Sequence, residues 1–360
     1  MNEKIKLFVP QPAGSFQDRL NDLGHQVESF LAESGLSQEN IFWSRIYLSD
    51  AANQLKDVLN HNLYQEILAK GAFSYIEQPP MDGSKITLML SFVPECRLVK
   101  KGTPDRMEIT CGNVTYLYQS VRLTETEAEG LTAKQQTMLC FERHIEWLTE
   151  KSLSLKDNCM RTWLYVRDID SNYAEVMKGR NAVFEKQGLT PETHFIASTG
   201  IEGYGTHGKT VICIDFVSIQ TDADMRVKYL QAPEYLNPTY QYGVAFERGT
   251  AFHVNGQHRL LLSGTASINK EGKCIFVGNV ERQAERMLLN MDQLLKADGA
   301  TIGQMKYFTV YLRDISDYPV IRKLMTERFP DTPIVILFAP VCRPGWLVEA
   351  EGEVSILEEN

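Results

Sequence analysis

The sequence lacks any long apolar segment. No window of the 360 residues approaches the run of about 18 apolar residues that a transmembrane helix needs, so we expect no membrane span. The first six residues, MNEKIK, lead into no apolar stretch either, which argues against a secretory signal peptide. We therefore expect a cytoplasmic protein that does not associate with membranes.

Positive charge is also scarce. Lys and Arg number 37 against 46 Asp and Glu, which gives a formal net charge of -9, and no block of like charges stands out. A nucleic-acid-binding surface needs a basic footprint, so we expect no nucleic-acid partner. A small anionic substrate remains compatible with this composition, provided that arginines are concentrated at its site.

Cysteine and histidine are few and irregularly spaced. The seven cysteines are an odd number without the spacing of a disulfide framework, so we expect reduced thiols. The seven histidines show no H-x-x-x-H pattern, and the cysteines show no C-x-x-C pattern. We expect neither a metal site nor a cofactor.

One glycine pattern resembles a dinucleotide-binding fingerprint. Residues 203–208 read G-x-G-x-x-G, but such a fingerprint has to leave a strand and open a helix, whose N-terminus then meets the pyrophosphate. Here the glycines precede a β-rich run at residues 211–214. We therefore expect no nucleotide site and predict a mobile loop beside a pocket.

What the chain does have is ordinary globular composition and a weak threefold repeat. It is 43% hydrophobic and 23% charged, and its length favours two or three units. Each copy runs from an amphipathic helix into an apolar strand, then into a second helix and a final strand. The apolar strands end in Tyr-x-x-Asp at residues 47–50, 165–168 and 311–314.

The repeat predicts the fold class and the domain boundaries. Two helices per group of strands, rather than strict β-α-β alternation, indicate an α+β fold with helices on one face of each sheet. We place the units at residues 1–100, 101–225 and 226–360. The second and third copies begin with strands suited to a hairpin, at residues 114–121 and 259–264, whereas the first has only residues 4–10 there, so we predict that it is truncated.

The third copy resembles the RidA (YjgF) superfamily. The resemblance rests on residues 263–268, 278–283, 290–295 and 310–314. That superfamily forms trimers with pockets between subunits, which implies that the three RidA-like (chorismate mutase-like) units form a pseudo-trimer within one chain. The arginine with which RidA deaminases hold a carboxylate would fall near Thr332, and no arginine stands there.

A narrower resemblance is to the chorismatases. It is carried by four motifs at residues 179–184, 197–203, 246–250 and 342–349, within a match over residues 160–360. It implies cofactor-free cleavage of the enol-pyruvyl ether of chorismate. The products would be pyruvate and either a hydroxybenzoate or a dihydroxycyclohexadiene carboxylate.

The resemblance assigns the proton donor of this reaction to Glu349. Cleavage of an enol ether requires a proton on the methylene carbon, and a carboxylic acid delivers it near neutral pH only if burial raises its pKa. Glu349 and Glu351 alternate along a predicted strand, so both lie on one face. Without the motif, Glu349 would read as an ordinary solvent-facing strand residue.

The substrate carries two carboxylates. A guanidinium group can donate two parallel hydrogen bonds to a carboxylate, which favours arginine over lysine at such a site. We select Arg180 and Arg248 for this role and Arg343 as a third candidate, with a surface location as the alternative for each. The other predicted substrate-binding residues are Thr199, Gly200, Tyr242, Phe246 and Ala266.

Cys342 bears on the identity of the ring product. A cysteine seven positions before the acidic residue resembles the chorismatase branch that makes a hydroxybenzoate, so Cys342 is predicted to be catalytic. Ala266 stands where that branch, as we align it, prefers glycine, and the ring product stays open. A small buried apolar residue is the alternative role for Cys342.

Two other functions remain open at this point. One is a further RidA-type activity, the hydrolysis of an imine or enamine, which the missing arginine near Thr332 weakens. The other is a non-catalytic pseudo-trimer that binds a small ligand. Because the threefold pairing is internal, we expect a monomer, although a dimer is compatible.

Overall fold

The three repeats form three β-sheets, each with helices against one face. The computed structural model describes residues 2–242 and 244–357, and of Gln241 and Tyr242 only the backbone. The strands of the three sheets lie within residues 4–92, 99–221 and 226–357. The predicted α+β fold of three tandem units is confirmed.

The first unit has a four-stranded sheet in the order β1-β4-β2-β3. Strands β2 and β3 are parallel, and the other neighbours are antiparallel. The elements are β1 (Lys4–Phe8), α1 (Phe16–Glu33), β2 (Ile41–Leu48), α2 (Ala51–Asn60), β3 (Ala72–Glu77) and β4 (Ile86–Phe92).

The second unit has six strands in the order β5-β6-β7-β10-β8-β9. Two of them, β5 and β6, have no counterpart in the first unit, which is therefore truncated as predicted. The elements are β5 (Val99–Thr103), β6 (Arg106–Cys111), β7 (Val114–Arg122), α3 (Glu125–Ala128), α4 (Ala133–Glu150), α5 (Leu155–Asn158), β8 (Cys159–Val166), α6 (Ile169–Lys186), β9 (Ala197–Glu202) and β10 (Ile212–Thr221).

The third unit repeats the six-stranded pattern in the order β11-β12-β13-β16-β14-β15. The elements are β11 (Arg226–Tyr229), β12 (Gly249–Val254), β13 (Gln257–Ala266), α7 (Val280–Lys296), β14 (Met305–Leu312), α8 (Tyr318–Arg328), β15 (Ile334–Phe338) and β16 (Val348–Leu357).

The first long helix of each unit begins at a polar N-cap and buries one apolar stripe. Ser15, Thr132 and Asn279 each accept a hydrogen bond from the backbone N–H three residues on, which satisfies an otherwise unpaired donor. The apolar residues at helical spacing then face the sheet, because burial of one stripe is what stabilises such a helix on a sheet. Buried examples are Leu20, Leu23, Val27, Phe141, Leu148, Met287, Leu288 and Met291.

Buried ion pairs join neighbouring units where their sheets meet. The pairs are Arg45–Asp215, Arg161–Glu351 and Arg259–Glu3, with N–O distances of 3.2, 2.7 and 2.7 Å. Each pair links two different units, and together they connect all three. An unpaired buried charge costs several kcal/mol, so these pairs disfavour any other arrangement of the units. The chain thus forms the predicted intrachain pseudo-trimer.

The expectation that the thiols are all reduced is wrong for one pair. Cys96 and Cys111 form a disulfide with a Cα–Cα distance of 6.5 Å. Cys96 lies in the turn before β5 and Cys111 ends β6, so the pairing of these two strands brings the cysteines together. Spacing along the sequence does not reveal that proximity.

The glycine-rich segment at residues 203–208 is a connection between β9 and β10, as predicted, and opens no helix. It does not lie beside the pocket that the sequence suggested. Instead, Tyr204 forms a β-bridge with Glu77 of the first unit, and the backbone N–H of each residue donates to the carbonyl of the other. Within the described ranges, no helix combines the length and apolarity that crossing a membrane requires.

Candidate active site

Most of the predicted site residues line one hollow between the second and third units. The hollow measures about 500 Å³ including its open mouth. Its walls come from α6 and β9 of the second unit and from β13, β16 and the segments before β12 and β16 of the third. The predicted residues found there are Arg180, Gly200, Phe246, Arg248, Ala266, Cys342, Arg343 and Glu349.

Glu349 lies near the start of β16 with only 4% of its surface exposed. Burial raises its pKa to about 8, and the negative charge of Glu351 acts in the same direction, while Arg161 and Arg248 oppose the shift. Among the described residues, none donates a hydrogen bond that would hold the charged form. At neutral pH the carboxyl group is therefore mostly protonated and able to donate a proton into the hollow.

Gly264 on β13 makes room for this carboxyl group. A Cβ atom at Gly264 would lie 2.1 Å from Oε1 of Glu349 and 2.8 Å from its Cδ. The backbone N–H of Gly264 donates a 2.8 Å hydrogen bond to Oγ1 of Thr199, which fixes the strand at this point. Any residue with a side chain would displace the proton donor, so Gly264 belongs to the site although sequence reasoning did not select it.

Glu351, two residues further along the same strand, lies beneath the hollow. Its carboxylate accepts hydrogen bonds from Arg161 Nη2 at 2.7 Å, Trp163 Nε1 at 2.7 Å and the Tyr311 hydroxyl at 3.0 Å, and it also contacts the Thr199 hydroxyl. Arg161 and Glu351 form one of the buried ion pairs between units, and the negative charge of Glu351 acts on Glu349.

Thr199 requires a correction. It was predicted to bind substrate, but its hydroxyl accepts from Arg161 and from Gly264 N–H and contacts Glu351, and it does not line the hollow. The reason is strand alternation: on β9, Ser198 and Gly200 face the hollow, so the residue between them faces away. Thr199 supports the wall from behind.

The arginines give the hollow its charge. Arg180 on α6 and Arg248 before β12 are 2% and 6% exposed, whereas Arg343 lies exposed at the rim. Nη2 of Arg248 donates to the carbonyl of Asn237 at 3.0 Å, and Arg180 stacks near the Phe184 ring at 5.6 Å. Guanidinium groups on the walls of one concave surface attract and orient an anion.

Cys342 shares the hollow with Glu349. Burial and the nearby charge of Glu349 raise the pKa of the Cys342 thiol to about 12, against a hydrogen bond with Tyr173 and the charge of Arg343. The thiol is therefore protonated at neutral pH and does not act as a thiolate nucleophile. Five further lining residues were not selected from the sequence: Tyr173, Ser198, Val244, Ile268 and Trp346. Ser198, Ile268 and Trp346 lie within the motifs, which could have marked them, whereas Tyr173 and Val244 lie in none.

Some predicted positions lie elsewhere. The side chain of Tyr242 falls outside the described residues. Strand β15, which follows Thr332, does not contribute to the hollow; its counterpart β9 of the second unit does. The position that corresponds to the carboxylate-binding arginine of RidA deaminases therefore lies on β9. This strand also carries no arginine.

The pseudo-symmetry predicts an equivalent hollow between the first and second units, and a hollow is found there, but different side chains line it. In the third unit Tyr311 lies opposite Glu349 on the neighbouring strand, and in the second unit the equivalent Tyr165 lies opposite Cys213. A cysteine therefore occupies the position of the acid. By the same register, Arg122 stands at the position of Ala266. Its guanidinium donates to Asp215 at 2.8 Å and to the backbone carbonyl of Tyr75 at 2.7 Å. A hollow of about 740 Å³ including its open mouth lies here, lined by Arg122, Phe73 and Tyr75, but it lacks the acid.

The chain is similar to several known proteins. Residues 249–354 match the family model for endoribonuclease L-PSP, the RidA/YjgF family. A 3-hydroxybenzoate synthase from Streptomyces hygroscopicus is 30% identical over 54% of this chain and 62% of that protein. The chloroplastic Reactive Intermediate Deaminase A of Arabidopsis thaliana is 29% identical over 21% of this chain and 41% of that protein.

A solved structure extends the likeness to almost the whole chain. The crystal structure of a chorismatase superposes with a TM-score of 0.66 at 19% identity, covering 88% of this chain and 93% of the other. The chain covers less than two thirds of the length of each of the two curated relatives named above, so these matches do not by themselves assign the relatives' activities to it. The family match covers part of the third unit, and most of the chain shares the fold of that chorismatase.

Proposed function

We propose that the chain cleaves the enol-pyruvyl ether of chorismate and releases pyruvate, with Glu349 as the proton donor. The observation that carries this proposal is a carboxyl group whose pKa is raised to about 8, on the wall of a hollow that also contains Arg180, Arg248 and Arg343. A neutral acid beside several cations suits a doubly anionic substrate that has to be protonated on carbon. The chorismatase fold and the 3-hydroxybenzoate synthase relative support the same substrate.

The reaction begins with transfer of the Glu349 proton to the methylene carbon of the enol-pyruvyl group. The π electrons form the new C–H bond, and the ether carbon becomes an oxocarbenium centre. In the hydrolytic route, water adds to this centre, the resulting hemiketal releases pyruvate, and the ring keeps its oxygen as a hydroxyl group. The proton lost by the water restores Glu349. One water is consumed, and the ring product is a dihydroxycyclohexadiene carboxylate.

In a second route, the ring becomes aromatic, and chorismate is converted into pyruvate and a hydroxybenzoate with no net consumption of water. We place this route first because Cys342 shares the hollow with Glu349 and because the Streptomyces relative is a 3-hydroxybenzoate synthase. Ala266, which also lines the hollow, is the residue that argues for the hydrolytic route.

Arg180 and Arg248 are proposed to hold the two carboxylates of the substrate. They come from different units and face the same space, so they can grip groups at separate positions on one small molecule. Arg343 lies at the rim, where it is placed to attract the incoming anion. Because both walls of the hollow belong to one chain, we propose that a monomer is sufficient for activity.

The test is pyruvate release from chorismate, coupled to lactate dehydrogenase, with the ring product identified by chromatography and mass spectrometry. Glu349→Gln keeps the size of the side chain but removes the proton, so substrate should still bind while turnover is lost. Glu271→Gln, at an exposed turn, is the matched control and should retain full activity. Pyruvate release by folded Glu349→Gln at the wild-type rate would disprove the assignment of the acid.

The deaminase alternative has less support, since β9 offers no arginine to hold the substrate carboxylate. Incubation with an enamine or imine and measurement of ammonia separates the two activities. Ammonia release without any pyruvate from chorismate would favour the deaminase.

A further inference from the structure

Three side chains with metal-binding groups meet at the end of the β12–β13 hairpin, and none of them lines the hollow. His253 and His258 face each other in register across the hairpin, with their ring centroids 3.8 Å apart. Asp298, just beyond the end of α7, completes the group. Its Oδ2 lies 2.7 Å from Nε2 of His258 and 3.7 Å from Nε2 of His253.

The hairpin turn fixes the two histidines opposite each other. Asn255 and Gly256 both adopt positive φ angles, 52° and 68°, as a two-residue turn that matches the twist of a hairpin requires. Strand pairing then continues without a shift from Val254↔Gln257 to His253↔His258. Directly opposed residues have Cβ atoms about 5 Å apart, a separation that two imidazoles can bridge through one ion.

We propose that His253, His258 and Asp298 form a binding site for a divalent transition-metal ion of the zinc type. With zinc–ligand bonds of about 2.0–2.1 Å, two ligands of a tetrahedral ion are separated by roughly 3.3 Å. The two carboxylate–imidazole distances in the structure fall on either side of that value, and all three ligand atoms lie within 4.8 Å of one another. Rotation of the His253 ring would convert this arrangement into a coordination sphere.

The kind of ion follows from the ligands. Imidazole nitrogen favours Zn²⁺, Cu²⁺ and Ni²⁺, whereas Mg²⁺ and Ca²⁺ prefer sets of oxygen ligands. His258 and Asp298 are nearly buried, while the His253 side chain is 24% exposed. The partial exposure of His253 gives solvent access to the cluster.

Two features of the cluster bear on how an ion would enter. The two imidazole rings are stacked at an interplanar angle of 16°. A metal ion has to lie in the plane of each ring that binds it, so the ring of His253, the more exposed of the two, has to rotate when the ion binds. Nζ of Lys228 lies 2.8 Å from Oδ1 of Asp298. The lysine therefore engages one carboxylate oxygen and orients the other, Oδ2, toward the histidines.

The ligands come from two adjacent strands and from the end of a helix 40 residues further along the chain than His258. This is why the histidine spacing in the sequence predicts no metal site. An ion here would tie the hairpin to the end of α7. Because β12 begins directly after Arg248, the tie would also anchor one edge of the proposed substrate-binding region.

The experiment uses the full chain after removal of metal with a chelator. Zn²⁺ binding is measured by titration calorimetry, and Co²⁺ is used as a spectroscopic probe whose visible absorption reports nitrogen and oxygen ligands. One equivalent of Zn²⁺ should bind and raise the melting temperature. His253→Asn and Asp298→Asn should each weaken binding by more than about tenfold and abolish the zinc-dependent rise in melting temperature.

His25→Asn, at an exposed position on α1, is the matched control and should bind Zn²⁺ as the wild type does. Folding of each variant is checked by circular dichroism; His253, being partly exposed, is the substitution least disruptive to packing. Wild-type protein that neither binds Zn²⁺ nor gains thermal stability from it would overturn the proposal, as would unchanged binding by folded His253→Asn. No step depends on pyruvate release, so the outcome is independent of the proposed function.

Discussion

Glu349 and Glu351 lie two residues apart on the same face of β16, in environments of opposite kind. The carboxylate of Glu351 receives hydrogen bonds from Arg161, Trp163 and Tyr311. The carboxyl group of Glu349 is buried and receives no such hydrogen bonds from the residues that the structure describes, and its pKa rises to about 8, with the charge of Glu351 contributing. One strand thus places an ion-paired carboxylate beside a proton donor, so two residues of the same type have different roles.

The protonation of Glu349 sets the predicted pH dependence of activity. Only the protonated acid can donate, so kcat/KM for pyruvate release should be constant at neutral pH and fall about tenfold per pH unit above pH 8. Initial rates at low chorismate concentration across pH 6–10 test this. A profile that instead falls below pH 6, as for a catalytic carboxylate, would contradict the role of Glu349 as an acid.

The same shift has a consequence for stability. The folded-state pKa of Glu349, about 8, lies above the ordinary value of 4.5, so the folded chain holds a proton that the unfolded chain loses. The stabilisation is fully present below about pH 4.5 and is lost as the pH rises through 8. Glu349→Gln removes this dependence, so the variant should unfold at a higher urea concentration than wild type at pH 9. Equal midpoints at pH 9 would show that the carboxyl group carries no burial penalty.

Glu351 should tune its neighbour. Glu351→Gln removes the negative charge that raises the pKa of Glu349 and leaves the positive charge of Arg161 in place, so the pKa of Glu349 should fall. The alkaline limb of the kcat/KM profile then moves to lower pH, and activity at pH 8 decreases. A limb that stays at the wild-type pH, in a variant that folds normally, would mean that Glu351 supports the site only by packing.

Much of the fold could be predicted because hydrophobic periodicity is a local property. The apolar stripe of α7 and the Tyr-x-x-Asp ends of β2, β8 and β14 specify helices and strands without any tertiary information. Repetition of the same pattern then indicated three similar units. The residues near the acid, Arg248 and Cys342 among them, were found through motifs rather than through any local physical signal.

What the sequence could not predict depends on the register between strands and units. The packing of the second unit against the third determines which face of β9 points into the hollow. As a result, Gly200 lines the hollow and Thr199 supports it from behind. Pairing between β5 and β6 brings Cys96 to Cys111, and the β12–β13 register opposes His253 to His258. Those contacts appear only when the sheets are assembled.

Replacement of the arginines of the hollow by lysine should weaken the binding of chorismate. Arg180→Lys and Arg248→Lys keep the charge but cannot form two parallel hydrogen bonds to a carboxylate, so KM for chorismate should rise by about tenfold or more, with a smaller change in kcat. Arg322→Lys, exposed on α8, is the matched control and should not change KM. An unchanged KM in both hollow variants would indicate that the carboxylates are bound elsewhere.

The contact between Gly264 and Glu349 gives the most local prediction. A methyl group at position 264 would lie 2.1 Å from Oε1 of Glu349 and 3.0 Å from Cγ2 of Thr199, so Gly264→Ala has to displace the acid from its position in the hollow. A misplacement of about 1 Å at the reacting group costs on the order of a hundredfold in rate, and we expect kcat to fall by that amount. Gly303→Ala is the matched control, because its added methyl group meets no atom closer than 3.9 Å. Both variants should fold, as judged by circular dichroism, and should differ only in turnover. If Gly264→Ala released pyruvate at the wild-type rate, the carboxyl group of Glu349 would have to act from a different position from the one that the structure shows.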